Sequence, residues 1–332
     1  MGASITEPAL VRDHGLDAEL WRLDETRLRV ISAPAGARLA DHAAAIRRLV
    51  DAHLHAEGGL LLRGFDTAGA GEFRAFAESF GHPMLGYEFG STPRSRIAEG
   101  VYSSTEYPAH QWIPQHNEQA YTRRWPLKIW FYCEVAAVEG GETPIADSRA
   151  LYRRLDPAIR RRFADKQLMY VRNYGNGLDL PWEQVFGTAD RGEVDAFCRR
   201  EAIVCEWLDE GRLRTRQTCQ SEARHPVTGD LVWFNQAHLF HVSALGEDLR
   251  EQLLAVVENE VDLPRNVYYG DGAPIEDSIL DEIRGAYDAL MLRFPWHADD
   301  ILMLDNMLMS HGRAPFTGPR RVLVAMAEPW SG

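Results

Sequence analysis

His116-Asn117-Glu118 sets an imidazole and a carboxylate two residues apart. In extended chain, residues i and i+2 project from one face, so the pair can grip a single metal ion. A third ligand must come from distant sequence, and His311, inside SHGRAPFTGPRR after the apolar run ILMLDN, is the candidate. Two imidazoles and one carboxylate occupy one face of an octahedron and leave three positions open, the arrangement of oxygen-activating iron(II) sites. The tripeptide alone is common on protein surfaces; its companions give it meaning. Arg320 and Arg321 follow His311 by nine and ten residues, and a guanidinium suits bidentate capture of a buried carboxylate. Thr143, in GGETP, adds a hydroxyl on a turn. Metal face, cation and hydroxyl together make a site for 2-oxoglutarate.

Elements must bring these groups together. Lys128 to Val138 (KIWFYCEVAAV) is nearly all apolar and β-prone, which predicts a central strand. Strands are also expected over residues 60–65, 214–223, 231–235, 300–304 and 321–327. Residues 38–57 carry Leu39, Ala43, Ile46, Leu49, Val50 and Leu54 at helical spacing, and Gly58–Gly59 ends the run. Further helices are expected over residues 71–80, 247–260 and 276–292. Asp147–Ser148 caps one more, and Pro157 opens another. The stretch GYEFGSTPRSRIAEGVYSSTEYP reads as loops and short strands. Regular βαβ alternation is absent. The fold class is therefore mainly β with α, a double-stranded β-helix (jelly roll) core with helical insertions. One domain is expected over 1–332, with an N-terminal extension over 1–30 and helical insertions at about 148–210 and 246–296.

Composition narrows the partners. A net charge of −13 disfavours nucleic acid and anionic membrane. Cys133, Cys198, Cys205 and Cys219 form no C-x-x-C pair and suit reduced thiols. The N-terminus lacks the apolar core of a signal peptide, and no run reaches the ~20 apolar residues of a membrane span. The chain reads as cytoplasmic. His238-x-x-His241 has no nearby carboxylate and reads as hydrogen-bonding support for the site. His53 and His55 diverge on a helix, which argues against joint ligation. Asn235 is a candidate substrate contact, set against the commoner structural use of a buried amide. Trp112, four residues before His116, is the tryptophan expected to border the iron; the others, and Met303, Met307 and Met309, read as packing.

LLLRGF, QHNEQAYTRRWPLKIWFYC, GGETPIADSR, RHPVTGDLVWFNQAHLFHVS, LPRNVYYGDGAPI and LMLDNMLMSHGRAPFTGPRRVLVAM resemble the taurine dioxygenase and clavaminate synthase superfamily of iron(II)/2-oxoglutarate oxygenases. Within it they are most similar to the branch containing the aspartyl hydroxylase of syringomycin biosynthesis. The likeness runs from about residue 58 to 326. It implies Fe(II) held by His116, Glu118 and His311, with 2-oxoglutarate and O2 as cosubstrates. It implies that Thr143 meets the metal-side carboxylate of 2-oxoglutarate, and that one of Arg320 and Arg321 anchors the distal one. Arg320 is favoured, because related segments read Pro-Arg-Lys; the two side chains of a strand face opposite ways, so one alone can serve. The chain departs from the pattern twice. Glu118 replaces the commoner Asp, as in other amino-acid oxygenases of the superfamily, and the second family arginine falls at Val324. Related halogenases lack the carboxylate that Glu118 retains, so hydroxylation is expected, with desaturation or cyclisation as alternatives on the same metal set. The substrate implied is an amino acid or amino-acid-derived unit of secondary metabolism, free or tethered to a carrier protein. Arg153, Arg154, Arg160, Arg161 and Arg162 could dock a carrier or simply form a solvated helix face. A zinc hydrolase or a non-catalytic barrel is the reading from a different class.

Overall fold

The apolar run expected as a central strand forms the long strand Arg124–Val135. In the computed structural model, which describes residues 10–86, 96–98, 100–104, 107–175 and 177–332, it lies in a nine-stranded sheet. It pairs antiparallel with Ile301–Asp305 on one side and Arg321–Ser331 on the other. Alternation along the strand separates two packing layers. Trp130 and Tyr132 face outward onto the helices Leu39–Glu57 and Ala70–Glu78, among Ile46, Leu49, Leu54 and Phe73. Ile129, Phe131 and Cys133 face inward, with Val322, Val324 and Met326 from the neighbouring strand. Burying each such large side chain contributes roughly 1.5–3 kcal/mol.

A three-stranded sheet, in the order Ile145–Asp147, Met309–Arg313, Ile113–His116, is the second wall of the jelly roll. Its inward side chains Ile145 and Met309 meet the large sheet together with Phe294 and Trp296 from the segment before Ile301–Asp305. Its outer face is covered by the helices Ser148–Arg154 and Asp277–Leu290, with Ala146, Leu151, Leu280, Ile283 and Tyr287 buried together. Gly312 is required between these strands, since a Cβ there would stand 2.6 Å from the carbonyl oxygen of Ile113.

The expected caps are present. Asp147 accepts from the backbone N–H groups of Arg149 and Ala150, and Pro157 opens the helix Pro157–Lys166. Three expectations need correction. Residues set apart as an N-terminal extension instead give Val11–Asp13, Leu16–Leu23 and Thr26–Ser32, three strands of the large sheet. Thr26 anchors them: its hydroxyl donates to Leu290 O (2.7 Å) and accepts from Asp147 N (3.1 Å). The segments read as helical insertions also supply strands, Leu168–Tyr174, Val204–Trp207 and Arg265–Tyr269, which join Leu213–Cys219 in a four-stranded sheet. Arg172 and Asn173 are buried within it, polar residues that hide a strand from hydropathy. The third correction is a boundary: the helix expected over 247–260 ends at Val256. In the Gly/Ser/Thr-rich stretch, Arg96–Ala98 and Val101–Ser103 are strands, and residues 87–95, 99 and 105–106 lie outside the described residues.

Candidate active site

The small sheet aligns the metal-type residues. His311 stands directly opposite His116 in the antiparallel register, and Ile145 opposite His311 on the other side. The two imidazole centroids are 4.5 Å apart, and His311 Nε2 lies 4.0 Å from Glu118 Oε2. One ligand atom each from His116, Glu118 and His311 falls within a mutual 4.8 Å. His116 Nδ1 lies 2.8 Å from Pro114 O; a carbonyl only accepts, so Nδ1 carries the proton and Nε2 presents its lone pair. Phe131 meets the His311 ring edge-on at 4.9 Å. Glu118 and His311 are buried, and a buried carboxylate between two imidazoles fits a divalent cation in both charge and donor set.

Buried amides hold this tripeptide by its backbone. Asn306 Oδ1 accepts from Glu118 N (2.7 Å), while its Nδ2 donates to Glu118 O (3.0 Å) and Pro126 O (2.9 Å). Asn117, facing away from the metal, donates to Asn306 O and Ser148 Oγ. Gln236 Nε2 donates to Asn117 O, and His238 Nε2 to Gln115 O. Burial drives the His238 pKa down to about 3, so this histidine is neutral and supports the strand, as its sequence context implied. Asn306 escaped sequence reading; a polar pair, Asp305-Asn306, breaking an apolar run was its only signal.

Beside the triad lies a cavity lined by His116, His311, Phe131, Thr143, Arg313 and Arg320, among others. Arg320 Nε donates to Gly141 O at 2.9 Å. Burial, and then the neighbouring Arg313, lower its pKa to about 10, which still leaves a cation at neutral pH. Arg321 points the other way: its side chain is 51% exposed and pairs with Glu134. Val324 lines the cavity where the second family arginine would stand. Arg313 is held by the carbonyls of Tyr107, Pro108 and Gln111. Thr143 was expected at the metal-side carboxylate. Gly312 N donates to Pro144 O and Ala314 N to Glu142 O, so the register carries Thr143 two residues, about 7 Å, beyond the His311 level. That step leads toward Gly141 and Arg320 and places Thr143 between the His311 level and the arginine. Trp296 Nε1 donates to its hydroxyl at 3.1 Å.

Comparison with known proteins gives this geometry its family. Residues 24–326 match the taurine catabolism dioxygenase TauD, TfdA family. The chain belongs to that family. The dapdiamide synthesis protein DdaC of Enterobacter agglomerans is 42% identical over 280 residues, 84% of this chain and 85% of that one. A clavaminate synthase-like protein of Arabidopsis thaliana is 30% identical over 292 residues, 85% of each chain. The crystal structure of PvcB from Pseudomonas aeruginosa shares the fold, with a TM-score of 0.56 at 15% identity, covering 98% of this chain and 95% of that one. As a TauD, TfdA family member the protein is an iron(II)- and 2-oxoglutarate-dependent dioxygenase. Among the described residues no helix is long and apolar enough to cross a membrane.

Two further site expectations are not met in this TauD, TfdA family enzyme. Trp112 is 41% exposed beneath the Arg293 guanidinium; it lines a cleft of about 590 Å³ with Gln115, His238 and Tyr287, which shares Ile113 with the cavity of Arg320, and does not itself line that cavity. Asn235 is wholly buried, donating to Ser221 O and accepting from Ala237 N at the start of the helix Ala237–Phe240, which leaves it no reach to substrate. His53 bonds Asp13, whereas His55 joins His225 and Asp305 in a second group of ligand-type residues.

Proposed function

We propose that this dioxygenase hydroxylates an unactivated C–H bond of an amino acid or amino-acid-derived unit in secondary metabolism. His116, Glu118 and His311 hold the iron, and Arg320 with Thr143 holds the far carboxylate of 2-oxoglutarate. The observation that carries this reading is the meeting of three ligand atoms within 4.8 Å beside a cavity that contains a buried guanidinium.

Bound iron would supply the oxidising chemistry, with O2 giving one oxygen atom to 2-oxoglutarate as it becomes succinate and CO2 and the other to the substrate C–H bond. The protein's part is orientation. Asn306 fixes where the Glu118 carboxylate starts, the Pro114 carbonyl sets the His116 tautomer, and Arg320 fixes the cosubstrate's long axis. Glu118 keeps the position that a halide would need, which favours oxygen transfer. The likeness to a protein named for dapdiamide synthesis supports a small amino-acid-like substrate. Of the five arginines on the 153–162 helices that could dock a carrier, three are matched by acidic partners within the chain: Arg153 pairs with Glu25, Arg154 with Asp24 and Arg162 with Glu276. A free substrate is therefore the simpler reading. A zinc hydrolase would have no use for Arg320.

Anaerobic addition of iron(II) and 2-oxoglutarate should produce a visible metal-to-ligand charge-transfer band. Tight zinc with no such band would overturn the assignment. A mass-spectrometric screen of amino acids and their acyl and amide derivatives should find a gain of one oxygen. Loss of two hydrogens would instead show desaturation or ring closure.

A further inference from the structure

A threonine hydroxyl has one proton to give, and a hydrogen bond it accepts constrains where that proton can go. An indole N–H is a donor only. The 3.1 Å contact between Trp296 Nε1 and Thr143 Oγ1 therefore obliges Thr143 to accept from the tryptophan and to direct its own proton elsewhere. Among the described residues no acceptor for that proton is recorded. Thr143 is buried and lines the cavity that holds Arg320 and the two metal histidines. A carboxylate oxygen accepts and never donates, so a hydroxyl whose proton is turned away from the indole and toward the cavity is matched to it.

The tryptophan is rigidly placed. Its ring packs against Phe294 at 5.4 Å in the cluster with Ile145, Leu292 and Met309. The chain before it is locked to the small sheet by reciprocal backbone bonds between Leu292 and Ile145. The chain after it is locked where Asp300 Oδ2 accepts from His297 N (2.9 Å) and Arg63 Nη2 (2.8 Å).

We propose that Trp296 is a positioning residue for 2-oxoglutarate: its N–H turns Thr143 into a donor aimed at the cosubstrate carboxylate beside Arg320. The inference rests on the assignment of Thr143 and Arg320 to that carboxylate, and the test separates the two. The iron(II)-loaded protein is titrated anaerobically with 2-oxoglutarate, and the charge-transfer absorbance gives Kd. Trp296→Phe keeps a ring in the apolar cluster and deletes the N–H. Its Kd should rise about threefold to tenfold, the range of one neutral hydrogen bond, with kcat at saturating cosubstrate little changed. Thr143→Val should raise Kd at least as far, and adding Trp296→Phe to it should cost nothing more.

An unchanged Kd in Trp296→Phe, with Thr143→Val weakened, overturns the proposal. So do additive effects in the double variant, because the tryptophan would then act without the threonine. An unchanged Kd in Thr143→Val overturns the cosubstrate assignment itself. Should Trp296→Phe fail to fold, 3-benzothienylalanine at position 296 keeps the indole shape with sulfur in place of N–H, and the same rise in Kd is expected.

Discussion

Two groups in this molecule have nearly the same parts. His116, Glu118 and His311 are two imidazoles and a carboxylate, and so are His55, His225 and Asp305; in each, the ligand-type atoms lie within a mutual 4.8 Å. Even the long imidazole-to-carboxylate separations agree, at 4.0 Å for His311–Glu118 and 4.0 Å for His55–Asp305. The difference is where the protons sit. His225 Nδ1 accepts from the backbone N–H groups of Val227 and Thr228, so its Nε2 is protonated and donates to Asp305 Oδ2 at 3.0 Å. Asp305 Oδ1 is occupied by Met307 N and Leu308 N. That group is already satisfied as a turn support. At the first group the hydrogen bond to Pro114 falls on Nδ1 of His116 and turns the lone pair toward its partners. Composition and distance alone do not separate two such groups; the tautomer of His116 supports the proposed metal role, and that of His225 a structural one.

The comparison can be broken in steps. Glu118→Ala should abolish hydroxylation, a loss of more than about 100-fold, beyond that expected from losing an outer partner; full turnover without added carboxylate would remove Glu118 from the metal. Arg320→Ala should raise KM for 2-oxoglutarate about 100-fold, as expected for a buried charge-assisted pair, whereas Arg321→Ala should stay within about twofold because its ion pair is exposed. Steady-state kinetics on both variants decides which arginine is the anchor. Asn306→Ala should weaken iron binding about tenfold to 100-fold, read by competition with a chelator while circular dichroism checks the fold. Asp305→Asn should lower stability by about 1–3 kcal/mol in denaturant melts, with iron stoichiometry left at one per chain. The smallest change is expected from His55→Ala, with iron content and turnover within about twofold of the parent. A second iron lost in either of the last two variants would erase the distinction drawn here.

The parts of the site legible in the sequence were those set by local spacing. His116 ends the strand Ile113–His116 and Glu118 follows two residues later in the turn beyond it, close enough in sequence to be read as one pair, and Arg320 and Arg321, neighbours at the start of the strand Arg321–Ser331, point opposite ways. Asn306 and Trp296 were not legible, because each acts through a contact formed only when distant segments meet, at Glu118 and Thr143 respectively. Thr143 was found, but its level along the cavity required the register with the Met309–Arg313 strand. In the fold, long apolar runs announced themselves. The strand Leu168–Tyr174 did not, since Asn173 is buried through bonds to Val261 O, Leu263 O and Arg214. The N-terminal strands turn at His14 and Asp24, non-glycine residues with positive φ; Gly15 marks the first turn, whereas Asp24–Glu25 has no glycine to announce it.

The single hydroxyl of Thr26 joins the hairpin at the start of the described chain to the strand that follows Thr143 and to the last turn of the helix Asp277–Leu290. Three segments remote in sequence thus share one latch beneath the catalytic wall. The opening hairpins consequently behave as a keystone, not a detachable cap, and exchanging them between relatives would alter the seat of the cosubstrate unless the latch travelled with them.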